Sequence, residues 1–203
     1  MRRLLLGDWN RWIRDPIDVG RLIFAGGTLA FAAMGRSTAI GLAVASGVLL
    51  LARYVNLPRP YDLSLLLAMT LIAWGTALNL YGDWKHYDKL VHGISPALWS
   101  PVIYIVLIRM DVLPELREKR ERHHLIGVFV VTLALGLAIG ACYEICEWLI
   151  DKATTATLVK GLRDTETDLI ADLVGATLGG IFIVSWARFG WGTVRRLPGG
   201  RVD

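Results

Sequence analysis

The sequence predicts an all-α polytopic membrane protein, a six-helix transmembrane bundle with both termini in the cytoplasm. Three observations lead there. The 203-residue chain is 54% hydrophobic with a mean hydropathy of +0.48, yet 20% of it is charged, so apolar and charged residues are segregated along it. Several apolar runs approach or exceed the roughly 20 residues that cross a hydrocarbon core of about 30 Å. Of the 22 arginines and lysines, sixteen fall in the N-terminal segment, at Arg53 and Arg59, in the charged linker before the fifth span and in the tail. Cytoplasmic loops concentrate these residues, which sets the orientation. The net charge of +4 and pI near 9.3 are therefore read as membrane orientation, with no nucleic-acid partner.

Residues 1–203 read as a single transmembrane domain without internal repeats. Residues 1–21 form a basic, Trp-bearing interfacial segment; the apolar run Leu4 to Leu6 is too short for a signal-peptide core, so no cleaved leader is expected. Residues 22–34 and 37–52 are two short apolar runs parted by Gly35 and Arg36. Two thin passes or a re-entrant hairpin fit them better than one long span, which would bury Arg36 near mid-membrane. After the Pro-broken connection at 53–60, residues 63–81 form the third span, with Trp74 inside it. The loop GDWKHYDK leads to a fourth span at 90–110, where Pro96 and Pro101 favour a kink. The fifth span, 125–149, holds Cys142 and Cys146, small apolar fillers with no metal signature of their own. A polar loop at 150–163 precedes the sixth span, 165–189, whose Gly175, Ala176, Gly179 and Gly180 suit close helix packing. Residues 190–203 form a short cytoplasmic tail.

The acids in and beside these spans are the unusual feature, because a carboxylate at the centre of a membrane helix costs about 2.5–3.5 kcal/mol on insertion scales. Asp88 and His92 are four apart and point the same way on a helix, with Lys89 beside them free to snorkel outward. Glu144 and Glu147 share a face, next to Tyr143. Asp164, Asp168 and Asp172 descend in steps of four, with Asp164 or Thr165 expected to cap the helix. Blander readings exist for each group: Asp88 as a helix cap with an interfacial histidine, Glu144 and Glu147 as hydrated surface acids, Asp172 as a structural residue. Yet His92, Glu144 and Asp172 lie at similar depths, about 5–10 Å inside the same membrane face. There, five acids (Asp88, Glu144, Glu147, Asp168 and Asp172) face Lys89, Arg163 and His92, so either some acids are protonated or a cation is bound. Oxygen ligands with one imidazole suit a divalent metal: Mg, Mn, Ca or, less comfortably, Zn. The expected ligands are His92, Glu144, Asp168 and Asp172; Asp88 or Glu147 is the expected base, with Lys89, Tyr143, Asp164 and Arg163 in support. No HExxH helix, G-x-S-x-G elbow, P-loop or paired-Cys zinc site is present.

With these residues in hand, YDKLVH, YEICEW and GLRDTETDLIADLVGATLGG together resemble the YjdF-like family of uncharacterised bacterial inner-membrane proteins. The resemblance runs from about Leu63 to Trp186 and implies six spans in a bacterial envelope, without an established activity. The chain is also distantly similar to VanZ-like proteins, in the order Asp88/Lys89/His92, then Glu144 or Glu147, then Arg163/Asp168/Asp172/Gly175. It departs from them where they usually carry Gln and Asn, with Glu147 and Asp172 here.

Three functions follow as expectations. The first is an enzyme of the bacterial inner membrane whose periplasm-facing cluster binds a divalent cation and acts on a lipid or envelope phosphate. The second is an ion- or proton-coupled carrier. The third is a non-catalytic membrane scaffold whose basic linker meets anionic lipid or a protein partner. Membrane lipids are the partners common to all three.

Overall fold

A computed structural model describes residues 16–55, 57–116, 121–154, 158 and 161–189, and all regular structure in them is helical. The elements are α1 (Pro16–Ala33), α2 (Ala39–Val55), α3 (Arg59–Met69), a π-helical turn (Thr70–Trp74), α4 (Gly75–Ala77), α5 (Leu80–Asp83), α6 (Tyr87–Arg109), α7 (Arg122–Ala153) and α8 (Leu162–Arg188). Four of them, α1, α6, α7 and α8, are long and apolar enough to cross a membrane, and α2 is a shorter apolar helix of 17 residues. The segment expected to be interfacial, apart from residues 16–21, and the tail expected to be cytoplasmic lie outside the described residues.

The first two apolar runs form an antiparallel pair and not one long span. Gly35 adopts φ +67°, a left-handed turn that costs glycine nothing, and Arg36 rests over the Phe31 ring at 4.9 Å. The pair is held midway by Thr28 and Ser46, whose hydroxyls lie 3.3 Å apart. Helix α1 begins earlier than the hydropathy suggests, at Pro16, and its Asp18 and Arg21 are buried in the bundle.

The third expected span is displaced toward its N-terminus. It runs from Arg59 through the π-helical turn and ends before Asn79, whose φ of 62° breaks the helix. The Leu71 carbonyl in that turn accepts from Tyr87 Oη at 2.7 Å as well as from the Gly75 N–H, and Gly75 leaves room for the phenol. The same turn aims Trp74 at the edges of Phe24 and Phe31, over Gly27.

Helices α6, α7 and α8 pack most closely. A methyl group at Gly175 would fall on the Gly93 carbonyl oxygen, one at Gly179 would lie 3.2 Å from the Pro96 and Ala97 carbonyl oxygens, and one at Gly136 would lie 2.5 Å from Ala176 Cβ. Such small residues let helix backbones touch where no hydrophobic drive exists between helices in lipid. The fit is local in cause: Pro101 has no N–H to donate to the Ala97 carbonyl, and Gly179 packs against that carbonyl.

Candidate functional site

Helix α6 starts, α7 ends and α8 starts at one end of the bundle, and each brings acidic or basic residues there. Asp88, Lys89 and His92 occupy the first two turns of α6. Glu144 lies two to three turns before the end of α7, and Asp164, Asp168 and Asp172 descend one face of α8. His92, Glu144, Asp168 and Asp172 are buried, with 4%, 7%, 2% and 1% of their surfaces exposed. Three segments far apart in sequence thus converge, as the spacing predicts.

His92 stands at the centre. Its Nδ1 lies 3.1 Å from Asp172 Oδ1. A carboxylate accepts only, so the proton of this pairing sits on Nδ1, and in the neutral imidazole the Nε2 lone pair then faces the other way. Nε2 faces Glu144 Oε1 at 3.7 Å and Asp88 Oδ1 at 3.8 Å. Among the described residues, neither His92 Nε2 nor Glu144 Oε1 has a hydrogen-bond partner, and the second Asp172 oxygen also lacks one. Tyr143 meets the imidazole edge to face, with ring centroids 5.3 Å apart.

Lys89 faces the acids it is expected to support and does not take the blander outward snorkel. Its ammonium donates to Asp168 Oδ1 at 2.6 Å and to Asp164 Oδ1 at 2.7 Å, with Asp88 Oδ2 at 3.9 Å. Asp164 consequently is no helix cap: Gly161 holds that position with φ +109°, and Asp164 falls in the first turn with its carboxylate on Lys89. Two ligand triads result, His92/Glu144/Asp168 and Asp88/Asp164/Asp168, with the lysine seated on two acids of the second. Glu147 is half-buried beside Tyr143, Asp88 and Glu144, at the outer rim. Arg163 is exposed and forms no ion pair with these acids among the described residues.

Below the imidazole lies a small cavity with about 20 Å³ of room for the centres of water molecules, lined by His92, Ser95, Trp99, Gly140, Tyr143 and Asp172 among others. That admits a water or an ion; it does not admit a phosphate ester. Gly140 sets the depth of this pocket, since any side chain there would occupy the place of the Asp172 carboxylate.

A second buried polar cluster is not read from the sequence. At the opposite end, Arg21 pairs with Asp18 (2.8 Å) and Asp62, and donates from Nε to the Leu49 carbonyl at 3.0 Å; Arg53 Nε lies 3.0 Å from Asp18. Arg109, at the end of α6, donates to the Val55 carbonyl. The available clue is that Asp18 and Asp62 interrupt two otherwise basic stretches. Arg21 and Arg53 balance Asp18 and Asp62 here, and Arg109 faces Glu115, whereas at the His92 end six acids face one lysine and one imidazole.

A family model described as "Predicted membrane protein (DUF2238)" matches residues 22–189, the span that contains both clusters except Asp18 and Arg21. No curated protein and no solved structure matches the chain significantly.

Proposed function

Taking as premise that the chain belongs to the DUF2238 family of predicted membrane proteins, we propose that it binds one divalent cation between His92 Nε2, Glu144 Oε1 and the Asp88 and Asp168 carboxylates. One observation carries this reading: two buried acceptors, an imidazole lone pair and a carboxylate, face each other at 3.7 Å with nothing donated between them. Two such atoms repel unless something positive lies there. Ligands bound to one ion at about 2.1 Å stand roughly 3–4 Å apart, the observed spacing. The Asp172 carboxylate supplies the outer hydrogen bond that orients a metal-ligating histidine.

The site belongs on the periplasmic side of a bacterial inner membrane, with all six sequence-read spans crossing and both termini cytoplasmic. The uneven arginine and lysine distribution and the YjdF-like resemblance support that orientation. A bound cation there lowers the pKa of a coordinated water or polarises a phosphate oxygen. Glu147, half-buried at the rim, is the base that accepts the proton, and the substrate phosphate of a lipid or envelope precursor approaches from that rim because the cavity below is too small for it.

A proton can replace the metal between the same two acceptors, and this favours a proton-coupled carrier as the second reading, with Pro96 and Pro101 permitting α6 to bend. Metal analysis of the purified protein separates the two. One equivalent of divalent cation that is lost in Glu144→Gln, with helicity unchanged, supports the metal reading. No bound metal at saturating Mg, Mn, Ca or Zn, together with pH-driven uptake into liposomes, sinks it. Absence of both, with wild-type growth in the variant, leaves a scaffold.

A further inference from the structure

We propose that the groove between the start of α7 and the end of α8 is a binding site for an anionic phospholipid. The groove encloses about 760 Å³ and is lined by Arg122, Leu125, Ile126, Phe129, Ile181, Val184, Ser185 and Arg188. Its origin is a divergence of two helices. They touch where Gly136 meets Ala176 and where Gly180 meets the Phe129 ring, at 2.8 Å from the position of an added methyl group. Beyond Gly180 the facing positions of α8 are occupied by Ile181, Val184, Ser185 and Arg188, and the helices part.

The occupant follows from the chemistry of the walls. Ser185 Oγ donates to its own helix, to the Ile181 carbonyl at 2.8 Å, so the only wall hydroxyl is satisfied and the walls are apolar. All the charge is at the mouth: Arg122 is the first residue of α7 and Arg188 the last of α8, both exposed. From Arg122 to Phe129, and from Ile181 to Arg188, the groove runs roughly 10 Å along each helix, from headgroup level into hydrocarbon. Two guanidiniums at headgroup level, one of them at the positive end of a 32-residue helix, suit a phosphate with one uncompensated negative charge. Apolar walls beneath suit its acyl chains. A zwitterionic lipid presents a cation to the same arginines and is disfavoured. A soluble peptide is disfavoured because Ile126 and Ile181, half exposed on the groove's walls, lie on helices whose outer faces meet hydrocarbon.

The experiment uses the full chain purified in detergent and counts retained lipid by native mass spectrometry after exposure to phosphatidylglycerol or phosphatidylcholine. The wild type retains phosphatidylglycerol preferentially. Each arginine near an anionic headgroup contributes about a fivefold preference, so Arg122→Gln with Arg188→Gln lowers the preference by roughly twentyfold. Ser185→Trp fills the groove with both arginines in place and also removes the bound lipid. Equal retention of the two lipids by the wild type, or a preference that survives both the double variant and Ser185→Trp, overturns the proposal.

Discussion

The Lys89 ammonium and the Asp168 carboxylate lie 2.6 Å apart, and Asp168 also belongs to the triad that includes His92 and Glu144. One carboxylate thus serves a tethered cation and a candidate metal position at once. Lys89 is the resident cation of the Asp88/Asp164/Asp168 group, and under the proposed function it confines an added ion to the His92 side. Lys89→Met removes that cation and leaves Asp168 buried without its donor. In metal-free buffer the variant should lose about 1–3 kcal/mol of stability, the cost of an unsatisfied buried polar group. With divalent cation present, it should bind one more equivalent per chain than the wild type and recover that stability. Thermal melts with and without metal, combined with metal analysis, check both; equal stoichiometry in the two proteins contradicts the assignment.

Asp172 touches the histidine and not the proposed ion, so its effect should differ in kind from that of a ligand. Asp172→Asn retains shape and a hydrogen-bonding group, but its amide no longer fixes the proton on His92 Nδ1. Loss of such an outer hydrogen bond lowers metal affinity about 10–100-fold. Metal titration of Asp172→Asn should therefore saturate at one equivalent with a weaker Kd. Glu144→Gln should not saturate. Identical Kd values for Asp172→Asn and wild type would remove Asp172 from the site.

The positions of His92, Glu144, Asp168 and Asp172 were legible because helical periodicity fixes which residues share a face, and membrane depth fixes which faces can meet. What periodicity does not encode is the partner of each side chain. Lys89 carries a long stem at a helix start, a position from which lysines commonly snorkel; only the placement of α8 against α6 turns it toward Asp164 and Asp168. Likewise, the Asp164 cap was the natural reading of a polar residue before an apolar run, and the left-handed Gly161 displaced it. The Arg21 and Asp62 pair joins residues 41 apart on two helices whose contact no local pattern announces. The π-helical turn is of the same kind, since its Leu71 carbonyl meets the Tyr87 hydroxyl from another helix.

Helix packing gives a comparison between two glycines. An alanine at Gly175 would press on the Gly93 backbone carbonyl, which can yield only if α8 moves away from α6, whereas an alanine at Gly180 would meet the Phe129 ring, which can rotate. Overpacking of this sort costs about 1–3 kcal/mol when the backbone must shift. Gly175→Ala should fall in that range and weaken cation binding, because Asp172 lies one turn away on the displaced helix. Gly180→Ala should cost less and leave binding intact. Paired melting and metal-binding measurements that rank the two variants in the opposite order would show that the α6 and α8 backbones are not held in contact at Gly93.

The buried charges at the other end allow a test of whether that cluster is a structural clamp. Asp62 is fully buried on α3 and pairs with Arg21 of α1, which in turn holds Asp18 and the α2 carbonyl of Leu49. Removing one partner of a buried pair strands the other charge and costs about 3–5 kcal/mol, while replacing both with apolar residues of similar volume is often close to neutral. Asp62→Asn alone should therefore destabilise the protein strongly, and Arg21→Met alone similarly. Arg21→Met with Asp62→Leu should recover a large part of the loss, though not all of it, because Asp18 would lose its 2.8 Å ion pair with Arg21. Since this cluster stands roughly 25 Å from the His92 site along α6, none of the three variants should change the number of cations bound per folded chain. A double variant as unstable as the sum of the singles would mean that Arg21 and Asp62 do not act as a pair, and a change in cation stoichiometry would mean that the two ends of the bundle are coupled.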